Sequence, residues 1–111
     1  MEIPEHIKEY LEFVVSCIKK TIPVSAIYLF GSYAIGNFHD HSDLDIYIIT
    51  NDKSKRKIEL KKEASKAIGF PQIIPMDILV GYEDDFIRRS NLINFVENEV
   101  VTKGIKIYAS Q

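Results

Sequence analysis

Apolar positions near the start of the chain recur at helical spacing. Ile7, Leu11, Val14, Val15 and Ile18 share one face and Pro4 suits a first turn, which predicts a helix from about Pro4 to Lys20. Pro23 breaks this pattern, and Val24 to Phe30 is a β-branched and aromatic run that reads as a strand ended by Gly31-Ser32. From Leu44 to Thr50 the period becomes two. Leu44, Ile46 and Ile48 fall on one face of this second strand and Asp43, Asp45 and Tyr47 on the other, so one face is expected to be core and the other free for chemistry.

Asn51, Asp52 and Ser54 offer caps for a helix from about Ser54 to Ile68, with apolar positions Ile58, Ala64, Ala67 and Ile68, stopped by Gly69 and Pro71. Ile73 to Val80 reads as a third strand with Asp77 in its middle, and Pro75 marks an edge or a bulge near its start. Tyr82 to Ser90 reads as a turn or short helix. Leu92, Phe95, Val96, Glu99 and Val100 fit a helix ending near Gly104, and Ile105 to Tyr108 closes as a short strand. Strands interleaved with helices predict an α/β (α+β) fold, a small mixed sheet with helices packed mainly on one face. With 111 residues, 46% of them hydrophobic, one core and a single domain over 1–111 are expected.

Charge narrows the partners. Fourteen basic and 16 acidic side chains give a formal net charge of -2, so no global positive field exists and stable nucleic-acid binding is not expected. The lysines from Lys53 to Lys66 are interleaved with Glu59 and Glu63 at spacings that pair within a helix, which makes this stretch a solvated face. No apolar run reaches bilayer length, and the charged, Pro4-bearing start is unlike a signal peptide; a cytoplasmic protein that leaves the membrane alone is expected. Cys17 is the lone cysteine and falls on the apolar stripe, where it reads as an inert thiol. His39 and His41 read as solvated loop residues, and Tyr28, Tyr33 and Phe38 as core before base-stacking groups.

The chemistry concentrates after the first strand. Gly31-Ser32 sits between a strand and a short helical turn, where backbone N–H groups and a hydroxyl can face a phosphate. Asp43 and Asp45 lie on one face of a strand start. Two such charges ~4 Å apart repel by about 1 kcal/mol in water and about 4 kcal/mol at an effective dielectric of 20, so a partly buried pair calls for a cation or a raised pKa. A hard divalent ion, Mg²⁺ above all, meets that need. Asp77, flanked by Ile74, Met76, Ile78 and Leu79, is costly to bury alone and implies a partner; if its strand lies beside that of Asp45, three carboxylates converge as two-metal nucleotidyl or phosphoryl transfer requires.

Gly31-Ser32, ten residues from Tyr33 to Ser42, Asp43-Leu44-Asp45 and then Asp77 in "PMDILV" resemble the signature of the nucleotidyltransferase superfamily of DNA polymerase beta. The small size resembles its minimal, MNT-type members, many of which pair with a HEPN-domain protein as antitoxin and toxin. The resemblance implies transfer of AMP from ATP to a hydroxyl of that HEPN-type partner, a ribonuclease silenced by the modification. It also implies that Asp43 and Asp45 hold two Mg²⁺ ions, that Asp77 ligates the acceptor-side metal and helps take the hydroxyl proton, and that Gly31 and Ser32 grip the triphosphate. One departure stands out: minimal members often read Gly-Ser-x-Ala-Arg-Gly, whereas "GSYAIG" places Ile35 at the arginine. Two alternatives follow, a non-catalytic antitoxin or regulatory module of the same fold, and a small-molecule enzyme resembling aminoglycoside nucleotidyltransferases. Apolar residues in the first and last helices leave room for a partner or a second copy in a homo-oligomer.

Overall fold

Pairing between distant segments sets where each element begins. The computed structural model describes residues 3–69 and 72–110. Helix α1 (Glu5–Thr21) buries Ile7, Tyr10, Leu11, Val14 and Ile18. Pro4 stands at its N-cap, where the Pro4 carbonyl accepts the N–H groups of Ile7 and Lys8. Strand β1 is Ala26–Phe30, shorter than predicted: the Pro23 carbonyl is taken by the Thr50 hydroxyl, and backbone pairing starts where the Ser25 N–H reaches the Ile49 carbonyl. A four-residue helix α2 (Ser32–Ile35) follows, then strand β2 (Leu44–Thr50), which matches its predicted bounds.

Helix α3 (Lys57–Ile68) starts three residues later than the predicted caps imply. Asp52 Oδ1 instead accepts the Ser54 N–H within the loop, and Arg56 with Glu59 forms the helix start. Its buried stripe is Leu60, Ala64 and Ile68, while Ile58, expected to be apolar core, faces solvent. Pro71 lies outside the described residues. Strand β3 (Met76–Tyr82) begins later and runs further than expected, because the parallel ladder with β2 opens only at Leu44–Met76 and continues to Thr50–Tyr82. Helix α4 (Glu83–Ser90), helix α5 (Val96–Lys103) and strand β4 (Ile105–Ala109) complete the chain. Of the positions predicted for the last helix, Leu92 and Phe95 precede α5 and are exposed, Val96 and Glu99 lie on α5 and are exposed, and Val100 is buried as expected, together with Glu97.

The sheet order is β3-β2-β1-β4, with β1 antiparallel to both neighbours and β2 parallel to β3 through the α3 crossover. The larger core, with Ile18, Ile27, Leu29, Ile46, Ile48 and Leu60, lies with α1 and α3 on one side of the sheet. The face expected to be free for chemistry carries a second, smaller core in which Tyr28, Phe30, Tyr47 and Ile49 meet Phe86 of α4 and Val100 of α5. Aromatic and branched side chains on alternate strand positions carry too much apolar area to stay in water. Only the end of that face beyond Tyr47 is left for the acids.

Cys17 is partly buried, and Tyr28 and Tyr33 belong to the cores, with Tyr33 stacked on Phe38 at 4.5 Å. Lys55–Glu63 and Arg56–Glu59 are solvated ion pairs on the lysine-rich stretch. Among the described residues no helix is long and apolar enough to cross a membrane.

The smaller core holds one polar pair. The Tyr47 hydroxyl donates to Glu97 Oε2 at 2.7 Å, and burial together with that carboxylate pushes its ionisation far above the ordinary tyrosine range. Tyr47→Phe strips the bond from a buried carboxylate and is expected to cost about 2 kcal/mol, whereas Tyr47→Phe with Glu97→Leu recovers most of it. Thermal unfolding of the single and double variants measures this coupling; a single variant as stable as the double would show that the pair contributes nothing.

Candidate active site

The site assembles where β1 ends, β2 begins and β3 begins. Gly31 leaves β1 with φ 74° and ψ −153°, a backbone region essentially restricted to glycine. Its carbonyl accepts the N–H groups of Ala34 and Ile35, which turns the chain directly into α2. The first N–H groups of that turn have no intrahelical partner and remain for a ligand. Gly31 is also where another element comes closest: a Cβ there would overlap Asp45 Oδ2 and stand 3.0 Å from Asp45 Cγ. The Gly-Ser turn and the second acid of Asp-Leu-Asp, distant in sequence, are therefore in contact, through the antiparallel pairing of Phe30 with Asp45.

Asp77 joins from the other side. In the parallel ladder it pairs directly with Asp45, and the Leu44 N–H donates to the Pro75 carbonyl at 2.9 Å, which fixes the starts of the two strands together. The expectation of a carboxylate buried mid-strand is corrected here. Asp77 is the second residue of an edge strand and is exposed, so what calls for a partner is the neighbouring Asp45 and not an apolar shell. Asp43 is exposed just ahead of β2, at the end of a loop closed by the His39 N–H to Ser42 Oγ bond (2.8 Å) and the Ser42 N–H to His39 carbonyl bond (3.0 Å). His39 and His41 are exposed in that loop, the His41 N–H donating to His39 Nδ1, and they do not join the acids.

Burial, then Asp77, Asp43 and Glu99, push the Asp45 carboxyl above its ordinary value of 3.8. Glu99 is the acid that sequence reasoning missed. It lies in the first turn of α5, along the chain only one of the positions that fit the last helix, and only packing of α5 over β1 brings its charge near Asp45. Among the described residues, no three His, Cys, Asp or Glu side chains are already gathered at ligand distances. The three aspartates adjoin where β2 and β3 begin, and as an all-oxygen donor set they suit a hard divalent cation.

A pH prediction follows from the raised Asp45 value. The folded chain holds that proton more tightly than the unfolded one, so its contribution to stability is fully present below pH 3.8 and is lost as pH rises through the raised pKa. Without divalent cation, Asp45→Asn is expected to melt progressively higher relative to the parent across that window and to stay higher at neutral pH. Parallel melting curves at every pH would show that Asp45 carries no such repulsion.

The family model described as "Polymerase beta, Nucleotidyltransferase" matches residues 12–111. A relative from Methanocaldococcus jannaschii that is named as a protein adenylyltransferase is 37% identical over 62 residues, a span of 52% of this chain and 61% of that protein. The match thus covers less than two thirds of the relative. Among solved structures, a toxin–antitoxin complex with AMP-PNP contains a chain similar at TM-score 0.59 and 25% identity, covering 90% of this chain and 73% of that one. A chain from Sulfolobus solfataricus named as a nucleotidyltransferase gives TM-score 0.60 at 16% identity, covering 97% and 90%. A complex of tri-AMPylated Shewanella oneidensis HEPN toxin with MNT antitoxin gives TM-score 0.55 at 20% identity, covering 94% and 73%. The last two likenesses concern the fold alone.

Proposed function

Because the chain belongs to the polymerase beta nucleotidyltransferase family, we propose that it is a Mg²⁺-dependent adenylyltransferase that moves AMP from ATP to a hydroxyl of a partner protein, as the antitoxin of a HEPN-type toxin. The observation that carries this reading is the register that sets Asp45 beside Asp77 and against the Gly31 turn. The relative named as a protein adenylyltransferase and the toxin–antitoxin complex solved with AMP-PNP support the choice of acceptor and donor class.

Asp43, Asp45 and Asp77 would hold the metal, which when bound neutralises charge developing on the attacking and leaving oxygens. The backbone N–H groups after Gly31 and the Ser32 hydroxyl donate to the triphosphate and orient its α-phosphorus. The accepting hydroxyl oxygen bonds to that phosphorus as the bond to the α,β-bridging oxygen breaks, and pyrophosphate departs. Asp77, on the acceptor side, takes the hydroxyl proton. The floor of the site is held by the small core under α4 and α5, which keeps water from beneath Asp45.

The test compares ATP labelled on its α-phosphate with ATP labelled on its γ-phosphate, each added with Mg²⁺ and the purified protein to a lysate of its own host. One protein band labelled from the α-position alone is the expected result. Label from the γ-position would mean phosphoryl transfer, and no label from either would overturn the catalytic reading. A second reading, neutralisation of the partner by contact alone, is favoured by Ile35, which is 53% exposed on α2 where an arginine would bring a cation to the phosphate turn.

A further inference from the structure

The Gly31 turn is approached from both sides. From β2 comes Asp45. On the other side β4 runs antiparallel to β1, pairing Lys106 with Tyr28 and Ile105 with Leu29. Gly104, just ahead of that ladder, is pressed against β1: a Cβ there would stand 3.1 Å from the Leu29 carbonyl oxygen, while the Gly104 N–H closes α5 on the Val100 carbonyl. Lys103, the last residue of α5, is therefore held beside the end of β1 from which the Gly31 turn departs. Its side chain is exposed and makes no ion pair among the described residues. One helical turn earlier on the same face stands Glu99, whose charge reaches Asp45, and the two side chains line one open cavity of about 360 Å³. This face of α5 looks onto the site.

The site calls for a cation there. Three aspartates and Glu99 gather near the turn, a triphosphate adds further negative charge, and α2, with Ser32, Tyr33, Ala34 and Ile35, brings nothing positive. Other cations are engaged or lie elsewhere. On the acid side of the sheet Arg88 pairs with Asp85, Arg89 lies over the Phe95 ring and Lys106 over the Tyr28 ring. Lys53 and Lys57 reach Asp84 and Asp85 at the opposite end of β3 from Asp77. Sheet order then ranks the groups: from β3 to β4 stand Asp77, Asp45, the Gly31 turn and Lys103. With the acceptor at Asp77, a displacement in line at the α-phosphorus sends the leaving oxygens toward the β4 side.

We propose that Lys103 holds the β- and γ-phosphates of a nucleoside triphosphate seated at the Gly31–Ser32 turn, its ammonium donating to their oxygens and offsetting the charge that pyrophosphate gains on leaving. This assignment rests on the nucleotidyl-transfer reading for where the nucleotide lies, and on the register of β1 with β4 for where Lys103 lies. A lysine suits the task as a compact charge on a flexible four-carbon stem, able to follow the departing group. The transfer step is the one given above; Lys103 stays protonated throughout and contributes hydrogen bonds only.

The test measures binding of AMP-PNP and of AMP, each with Mg²⁺, to the full chain. Lys103→Gln is expected to weaken AMP-PNP about tenfold. AMP, which lacks the β- and γ-phosphates, should bind as it does to the parent, and the melting temperature should stay close to the parent's because the side chain is exposed and unpaired. Lys103→Arg is expected to keep most of the AMP-PNP affinity, and in transfer assays kcat/KM for ATP should fall about tenfold or more in Lys103→Gln alone. AMP-PNP bound equally by the parent and Lys103→Gln would overturn the proposal. So would an equal loss from Lys106→Gln, which would reduce the effect to general charge, or AMP weakened in step with AMP-PNP, which would move Lys103 to the nucleoside end. A parent that binds no AMP-PNP would overturn proposal and reading together. A parent that binds it but transfers no α-label would sink the transfer reading alone, and the Lys103→Gln comparison would still decide the lysine.

Discussion

Asp43→Asn together with Asp45→Asn is expected to lower AMP transfer at least about a thousandfold, about 4 kcal/mol of transition-state stabilisation, while the chain stays folded. Removing one group aimed at developing charge already costs about a hundredfold to a thousandfold, and two carboxylates serving the same ions act as a unit. Folding is expected to survive, because Asp43 is exposed, Asp45 sits at the open end of the sheet, and the substitutions remove charges that repel each other and Asp77. In the absence of divalent cation the double variant should therefore melt above the parent, and added Mg²⁺ should raise the parent's melting temperature and not the variant's. Label transferred as well by the variant as by the parent would remove these aspartates from the reaction. Transfer lost only along with the folded state would make them structural.

Gly31→Ala is expected to be nearly as damaging for activity and far worse for folding. At φ 74° and ψ −153° an alanine carries backbone strain of about 1–3 kcal/mol. Its Cβ would also overlap Asp45 Oδ2, so either the turn or the carboxylate must move. A displacement of about 1 Å in a reacting arrangement can cost about a hundredfold, and transfer should fall by at least that factor. The total loss of stability should be about 2–4 kcal/mol, read by denaturant unfolding. If the folded fraction retained full kcat/KM, the turn would hold the fold without holding the nucleotide. The Asp45→Asn protein supplies the control: with no charge to displace, adding Gly31→Ala should reduce stability again but change residual transfer little.

The local part of the site was legible along the chain. Gly31 and Ser32 follow the end of one strand and Asp43 and Asp45 stand at the start of the next, and their residue types and strand period place them together without knowledge of the rest. β2 and the helical faces of α1 were equally readable, because a two-residue or four-residue period records which side of an element meets a core. The same reasoning misplaced the starts of α3 and β3. Capping by Asp52 and Ser54 competes with a turn those residues can close among themselves, and a strand begins where its neighbour offers a ladder.

Asp77 shows where sequence stops and tertiary structure begins. Its residue type in an apolar run marked it as unusual, but its place beside Asp45 required the parallel pairing of β2 with β3, made across the whole of α3. Glu97 and Glu99 gave no such mark. Glu99 read only as one position of the last helix and Glu97 drew no reading at all, and their roles depend on Tyr47 and Asp45, about fifty residues away, reached only when α5 closes over the sheet. Periodicity and short-range spacing, which are properties of a chain segment by itself, therefore determined the element types and the first two acids. Strand neighbours, the second core and the charge environment of Asp45 were decided by tertiary structure, because each depends on free energy gained only when segments distant in sequence share one interior.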